Sequence, residues 1–354
     1  MSTQGPLAGI RVVEMQAIGP IPYCGLLLAD LGAEVVRIDR PDASDLGLPV
    51  APRFDLMARG KQAQALDLKS AAGIEAARAL ITRAQVLLEG FRPGVMERLG
   101  LGPAECHASN PGLVYARLSG WGDRGPMRDE AGHDLNYLGL TGALAAMGTP
   151  DAPPPPPLNL VGDFGGGAMQ LAVGLLAALL HARATGQGQV VATSIYEGAN
   201  ALTPFLHAQR AAGAWEDRRG VNVLDGGAPF YHCYAAAEGG YVAVAAIEPK
   251  FYRNLLERLG LSGSVDPARQ LDRATWPDTA ALFAARFGER GRDAWASLFA
   301  GREACVTPVL GWEEAALHPQ ASALRAFESP GGIAQPRTAA RFSATSPPPL
   351  RLPP

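Results

Sequence analysis

Over its first ninety or so residues the chain alternates between short apolar runs and helical runs, and this constrains the fold more than any other feature. Gly9 to Met15 reads as a buried strand, Pro22 to Leu31 as a helix stopped at Gly32, and Glu34 to Ile38 as a second strand ending in Asp39-Arg40-Pro41. Ala63 to Leu68 predicts a third strand, Ala71 to Arg83 a helix, Gln85 to Leu88 a fourth strand and Leu113 to Leu118 a fifth. Strands alternating with helices imply a parallel sheet with helices packed on its faces. Ligands of such sheets bind outside the carboxyl ends of the strands. Arg40, Arg59 and Arg92 fall at or near those ends.

From Asp134 the texture turns helical. His133 or Asp134 is placed to cap a helix running to about Met147. Five consecutive prolines, Pro153 to Pro157, predict a stiff connector. The longest helix is expected from Asp163 to about Arg183, followed by a strand at Gln189 to Thr193 and a helix at Ile195 to Ala212. Beyond residue 221 two alternating runs flank Glu238-Gly239-Gly240, a hairpin signal. Helices at Lys250 to Leu259, Trp276 to Phe287 and Arg292 to Phe299 and a strand at Cys305 to Val309 complete a second unit. The fold class is therefore α/β: a parallel-sheet unit, then a compact second α/β unit from about residue 221, and a proline-rich stretch from Gly331 that wraps over another surface or frays.

Composition narrows the function. With 47% apolar and 18% charged residues in 354, the chain has ample material for a core. A net charge of -3 does not favour nucleic acid or an anionic membrane as partner. The four cysteines, Cys24, Cys106, Cys233 and Cys305, lie far apart without metal-ligand spacing, which suits reduced structural thiols. No signal-peptide pattern opens the chain. The longest apolar run, Met169 to Leu180, reads as too short to span a bilayer. The terminal Leu352-Pro353-Pro354 carries no organelle address. A cytoplasmic enzyme without metal, membrane or nucleic-acid partner is the expectation.

Two stretches offer chemistry. Gly132-His133-Asp134-Leu135-Asn136-Tyr137 presents an imidazole at a helix start. Asn159-Leu160-Val161-Gly162-Asp163-Phe164-Gly165-Gly166-Gly167 presents a carboxylate where a glycine-rich turn opens a helix. Both residues also suit plain helix caps. Three glycines after Asp163 weaken a helix start by about 1 kcal/mol each relative to alanine. They suit a backbone that a ligand approaches closely, and the helix start offers free amides to a developing oxyanion. Glu248, before Pro249, reads as a cap or as a carboxylate that orients a histidine. The turn Gln16-Ala17-Ile18-Gly19-Pro20 lacks the dinucleotide pattern, and its prolines remove amide donors. Arg37 and Arg40 beside Asp39 suit phosphate better than an unmodified ribose, and Lys61, Lys69, Arg92 and Arg98 add cations near strand ends.

The runs Gly9-Ile10-Arg11-Val12-Val13-Glu14, Asp30 to Ile38, Asp67-Leu68-Lys69-Ser70, Gly90-Phe91-Arg92-Pro93-Gly94, Gly120-Trp121-Gly122 and Gly186 to Val190 resemble CoA-transferase family III chains. The two chemical stretches, with Asp225-Gly226-Gly227-Ala228-Pro229 and Ala304 to Val309, resemble its α-methylacyl-CoA racemase branch. The resemblance implies a large Rossmann-like parallel-sheet domain over 1–220, a smaller α/β domain over 221–320 and a segment over 321–354 that returns to the large domain. It implies a homodimer of interlinked chains and an acyl-CoA thioester as substrate, with no cofactor beyond the CoA of that substrate. It implies that His133 and Asp163 are the acid/base pair, with Glu248 oriented toward His133 and Asn159 in support. It places Arg40, Leu66, Asp67, Leu68, Lys69, Gly90, Phe91, Arg92, Arg98, Gly132, Asp134, Leu135, Asn136 and Tyr137 along the CoA. It implies racemisation of 2-methylacyl-CoA through an enolate. The alternative within the family is a CoA transferase with Asp163 as covalent nucleophile; a non-catalytic acyl-CoA binder is a third reading. The segment between Pro41 and Lys61 looks longer than the branch leads one to expect.

Overall fold

A computed structural model describes residues 5–42 and 47–353. Residues 1–4, residues 43–46 in the long segment between Pro41 and Lys61, and the terminal Pro354 lie outside the described residues. The chain divides into two compact units. One holds Met1–Thr141, Pro157–Thr203 and Ala316–Pro354; the other holds Gly142–Pro156 and Pro204–Ala315.

In the first unit, β1 (Arg11–Met15), β2 (Glu34–Asp39), β3 (Lys61–Ala65), β4 (Val86–Glu89), β5 (Val114–Ser119) and β6 (Val190–Ser194) form one sheet in the order β3-β2-β1-β4-β5-β6. Every pairing in it is parallel. Helices α1 (Pro20–Asp30), α2 (Ala71–Thr82), the short α3 (Val95–Arg98), α4 (Pro103–Ser109), α5 (Asp134–Gly139), α6 (Met169–Thr185) and α7 (Ile195–Asn200) accompany it, and the C-terminal segment adds a helical turn, Pro319–Leu324, and a two-stranded antiparallel ladder, Phe327–Glu328 with Gln335–Pro336. The central strands are buried on both faces, so they read as unbroken apolar runs. The strand order reverses between β1 and β4, and the crevice between their carboxyl ends is where such sheets take ligands. Gln16–Gly19 leaves β1 there, and Gly90–Arg92 leaves β4.

Several cations prove to be structural. Lys61 is buried, and its Nζ lies 2.7 Å from Glu14 Oε2 and 2.8 Å from the Pro22 carbonyl. Gly25 makes room for this pair, since a Cβ there would fall 1.8 Å from Glu14 Oε2. Arg59 is buried as well. Its guanidinium donates to Asp30 at 2.6 Å, to Gln335 Oε1 at 3.1 Å and to the Pro336 carbonyl at 2.9 Å. It ties the C-terminal segment to the end of α1 and is no strand-end ligand residue. Arg37 forks onto Asp39 and also reaches Asp55. Neither Arg37 nor Asp39 is therefore left free for phosphate or ribose.

The helix expected over Asp163–Arg183 starts earlier. A single 3₁₀ turn, Leu158–Leu160, leads into a π-helical stretch, Val161–Ala168, and then into α6. Leu158–Thr185 is a 28-residue helical stretch with a kink at Asn159, long and apolar enough by length and composition to cross a membrane. This corrects the reading of that run as too short. One face of it, Leu171, Ala172, Leu175, Ala178 and Leu179, sits in the same apolar core as Val12, Val86 and Val114. The helix from Ile195 breaks after Asn200 because Pro204 lacks an N–H and biases Thr203 away from helical geometry. The chain passes from one unit to the other at this break rather than at residue 220. The helix expected to reach Met147 ends at Gly139.

The second unit carries an antiparallel sheet, β7 (Tyr231–Ala235), β8 (Tyr241–Ala245) and β9 (Val306–Val309), in that order. Helices α8 (Pro204–Ala211), α9 (Pro249–Leu259), α10 (Trp276–Phe287) and α11 (Arg292–Phe299) accompany it. Phe230, Tyr234, Tyr252, Phe283, Phe287 and Trp295 form its aromatic core. Gly239 and Gly240 both take positive φ in the hairpin turn.

Candidate active site

His133 and Asp163 lie near each other in the first unit, the imidazole close enough to act on the Asp163 carboxyl without pairing with it. His133 is the N-cap of α5, and the Asn136 side chain reaches back to accept its N–H at 3.0 Å. The Tyr137 hydroxyl donates to the Gly132 carbonyl, and the Tyr137 ring packs edge-on against Trp121, centroids 4.7 Å apart. Gly120 and Gly132 leave space for that tyrosine, because a Cβ at either would press into its ring. Asn136 and Tyr137 thus hold the backbone that presents an exposed imidazole.

Asp163 lies within the π-helical stretch and is not an N-cap. π-helical turns are rare and recur at functional sites. The Asp163 N–H donates to Asp134 Oδ1 at 2.7 Å, and the Gly162 N–H also donates to Asp134. The amides that the helix start was expected to offer an oxyanion are therefore engaged by a carboxylate. The three glycines have a further use. A Cβ at Gly166 would lie 2.6 Å from the Ala199 nitrogen, and one at Gly198 would lie 1.8 Å from the Gly166 carbonyl. Gly167 faces Pro20 and Ile195. Gly166 and Gly167 bring the Asp163 helix against α7 and α1 rather than leaving a bed for a ligand. Phe164 stacks on Tyr23 of α1, centroids 4.4 Å apart.

The environment of Asp163 sets its acidity. Burial pushes the carboxyl up, and the Asp134 carboxylate adds to that; a hydrogen bond from Asn159 and the nearby His133 imidazole oppose it. The result is about 6. Both protonation states are then populated near neutral pH, which suits a group that accepts a proton in one direction and donates it in the other. Burial likewise raises Asp134, against hydrogen bonds from the Asp163 and Gly162 amides.

Gly19 is a site residue that the sequence reading misses. Its φ is 67°, and a Cβ on it would fall 2.8 Å from Asp163 Oδ2. The turn after β1 therefore forms a side-chain-free wall against the carboxyl. The signal is present in Ile18-Gly19-Pro20, a glycine just before a helix-opening proline, but by sequence alone it marks only a turn without the dinucleotide pattern.

The remaining expected ligand residues line the carboxyl rim of the sheet. Leu66, Asp67, Leu68 and Lys69 form the turn from β3 into α2, with Asp67 Oδ1 accepting the Lys69 N–H at 3.0 Å. Gly90 packs on Ile21, where a Cβ would be 2.8 Å away. Phe91 donates its N–H to the buried Glu89 at 2.9 Å. The Arg40 N–H donates to Gln16 Oε1 at 3.0 Å, and its side chain is exposed. Among the described residues Arg40, Lys69, Arg92 and Arg98 form no ion pair, unlike Arg37, Arg59 and Lys61. Burial raises the Tyr137 hydroxyl, and the Asp163 carboxylate adds to that while the Arg92 charge opposes it. Leu135 is exposed beside His133. Glu248 belongs to the second unit, where it is the exposed N-cap of α9. No group of three or more His, Cys, Asp or Glu among the described residues is arranged to hold a metal ion.

The first unit is a doubly wound parallel domain that carries an imidazole and a raised carboxyl at its switch point, groups chemically able to move protons. Residues 7–354 match the model of CoA-transferase family III, and the chain belongs to that family. It is 44% identical to the α-methylacyl-CoA racemase of Mus musculus over 96% of this chain and 87% of that protein. It is 45% identical to the Homo sapiens racemase over 88% of this chain and 80% of that one. A CAIB/BAIF family protein from Brucella suis superposes with a TM-score of 0.83 at 26% identity, covering 99% of this chain and 95% of that one.

Proposed function

We propose that the protein is an α-methylacyl-CoA racemase. It interconverts (R)- and (S)-2-methylacyl-CoA thioesters by removing the α-proton and returning it to either face. The observation that carries this reading is the pairing of His133 with an Asp163 carboxyl held at about 6. The likeness to two racemases over most of the chain supports it.

A thioester α-proton is weakly acidic, so its removal needs a positioned base and an enolate. In one direction neutral His133 takes the proton from one face while protonated Asp163 delivers one to the other. In the reverse direction Asp163 carboxylate is the base and the imidazolium is the acid. A hydrogen bond from Asn159 orients the Asp163 carboxyl. Arg40, Lys69, Arg92 and Arg98 supply the guanidinium and ammonium groups for the CoA phosphates. Leu66, Asp67, Leu68, Gly90, Phe91, Gly132, Leu135, Asn136 and Tyr137 border the same rim. The working form is a homodimer of interlinked chains; the exposed Met169, Val173 and Leu180 on α6 give it an apolar face to bury. We place the enzyme in the cytoplasm, with no cofactor beyond the CoA of its substrate.

The test is incubation of the purified protein with a 2-methylacyl-CoA in heavy water. Deuterium enters the α-position without any added acid. Exchange that appears only when a free carboxylic acid is supplied as CoA acceptor points instead to a transferase with Asp163 as nucleophile.

A further inference from the structure

The Asp134 carboxylate sits where the two proton-handling segments touch. Its residue follows His133 directly and opens α5. Its Oδ1 accepts the Asp163 N–H at 2.7 Å, and the carboxylate also accepts the Gly162 N–H. Two consecutive amides of the π-helical stretch thus end on one side chain from the histidine's helix. Gly162 is required for this: a Cβ there would lie 2.3 Å from Asp134 Oδ1. The carboxylate is half-buried and forms no ion pair among the described residues.

We propose that Asp134 is a positioning residue for proton transfer, a clamp that holds the helical segment bearing Asp163 against the helix start bearing His133. This role differs from contact with CoA. It deepens the racemase reading and rests on it for its kinetic part, while the clamp itself is a matter of hydrogen bonding. The Asp134 side chain is the link from α5 to the Asp163 backbone, and without it the two proton-transfer groups lose their fixed separation. Misplacement of about 1 Å at a reacting centre costs about 10²-fold in rate.

The charge of the clamp has a consequence. Among the described residues the ionisable groups that act on Asp163 are Asp134 and Tyr137 of α5 and His133 at its N-cap. On the α1 side it meets the bare Gly19, with Tyr23 stacked on the neighbouring Phe164. Glu197 of α7 is turned to the Ser194 hydroxyl at 2.7 Å. Asp134 is therefore the negative group that opposes ionisation of Asp163.

The experiment compares Asp134→Asn, Asp134→Ala and Gly162→Ala with wild type, after wild type has been shown to exchange the α-proton. Asparagine at this position keeps the acceptor oxygen and loses the charge. Its kcat stays within about tenfold of wild type, and the limb of the kcat–pH profile assigned to Asp163 moves to lower pH. Asp134→Ala lowers kcat by about 10²-fold with KM little changed, and hydrogen exchange of the peptide spanning 158–168 speeds up. Gly162→Ala, which disrupts the clamp from the other side, shows the same pattern. The inference is overturned if exchange in 158–168 is unaltered in Asp134→Ala, or if both Asp134 variants raise KM at unchanged kcat with the pH limb unmoved. The last pattern marks a CoA contact. Absence of α-proton exchange in wild type removes the racemase reading, and the 158–168 exchange data then still decide the clamp.

Discussion

Replacing Asp163 by asparagine should make the protein more stable at neutral pH while abolishing its chemistry. The carboxyl is raised from 3.8 to about 6, mainly by burial and secondly by the Asp134 carboxylate. Between those two values the folded state binds more protons than the unfolded chain, so stability falls as pH rises through the window. The penalty is absent below about pH 3.8 and complete above about pH 6. At about 1.4 kcal/mol per tenfold change in acidity the gap corresponds to about 3 kcal/mol, and partial exposure of the group reduces it to roughly 1–2 kcal/mol. Asparagine removes that penalty and retains a partner for Asn159. Urea unfolding of ligand-free protein at about pH 8 should show the Asp163→Asn variant ahead of wild type by this amount, and at about pH 4.5 the gap should shrink by more than half. Racemisation by the variant should fall by at least about 10²–10⁴. Equal or lower stability of the variant at the higher pH would refute the argument that Asp163 is held against its own ionisation. Stability given up at a catalytic group is a familiar trade in enzymes.

Arg92→Ala should raise KM for the CoA ester with little change in kcat, because the guanidinium follows the end of β4 and forms no ion pair among the described residues; steady-state kinetics check this. Gly19→Ala should lower kcat about tenfold or more and cost roughly 1 kcal/mol in stability, since φ is 67° and the new Cβ meets Asp163 Oδ2; kinetics and thermal melts read both. Arg59→Ala should destabilise by about 3–5 kcal/mol, the range for breaking a buried pair, and should expose the C-terminal segment to limited proteolysis. His133→Ala and Asp163→Ala should show opposite residual preferences when deuterium uptake is followed from each pure enantiomer. Equal residual uptake from both enantiomers in both variants would dispose of opposed bases.

The parallel sheet is legible because its strands are buried on both faces, and buried strands must be apolar throughout. Val12, Val13, Leu87 and Leu88 carry that signal without help from the rest of the chain. The edge strand is harder. Lys61-Gln62-Ala63-Gln64-Ala65 has little apolar character, and the sequence places its start two residues late because Lys61 looks like a surface residue. Only the structure shows that Lys61 points inward to Glu14, and no local pattern encodes a partner 47 positions away. Arg59 illustrates the same limit, since its partner Gln335 lies 276 positions further on. Helix ends are misread where a side chain from another element takes over the work of capping. Asp163 looks like an N-cap because aspartate before a run of glycine and apolar residues usually is one. Here Asp134 supplies the acceptor, and that leaves the Asp163 side chain available for chemistry.

The glycines around Asp163 show how a local sequence signal can have a different physical cause from the one first read into it. Gly165, Gly166 and Gly167 mark a place where backbone must come close to something. Close approach to a ligand and close approach to another helix produce the same local sequence. The structure assigns Gly166 and Gly167 to helix packing on α7 and α1. Room beside the carboxyl instead depends on Gly19, far back in the chain at the end of β1, whose bare α-carbon forms the wall there. The two sets of glycines act together. Gly166 and Gly167 let the π-helical stretch sink toward α1, and this brings Asp163 up against the turn at Gly19, where a side chain would displace it. Burial of the carboxyl, and with it the raised pKa that the proposed two-way proton transfer uses, follows from helix packing that no single motif contains.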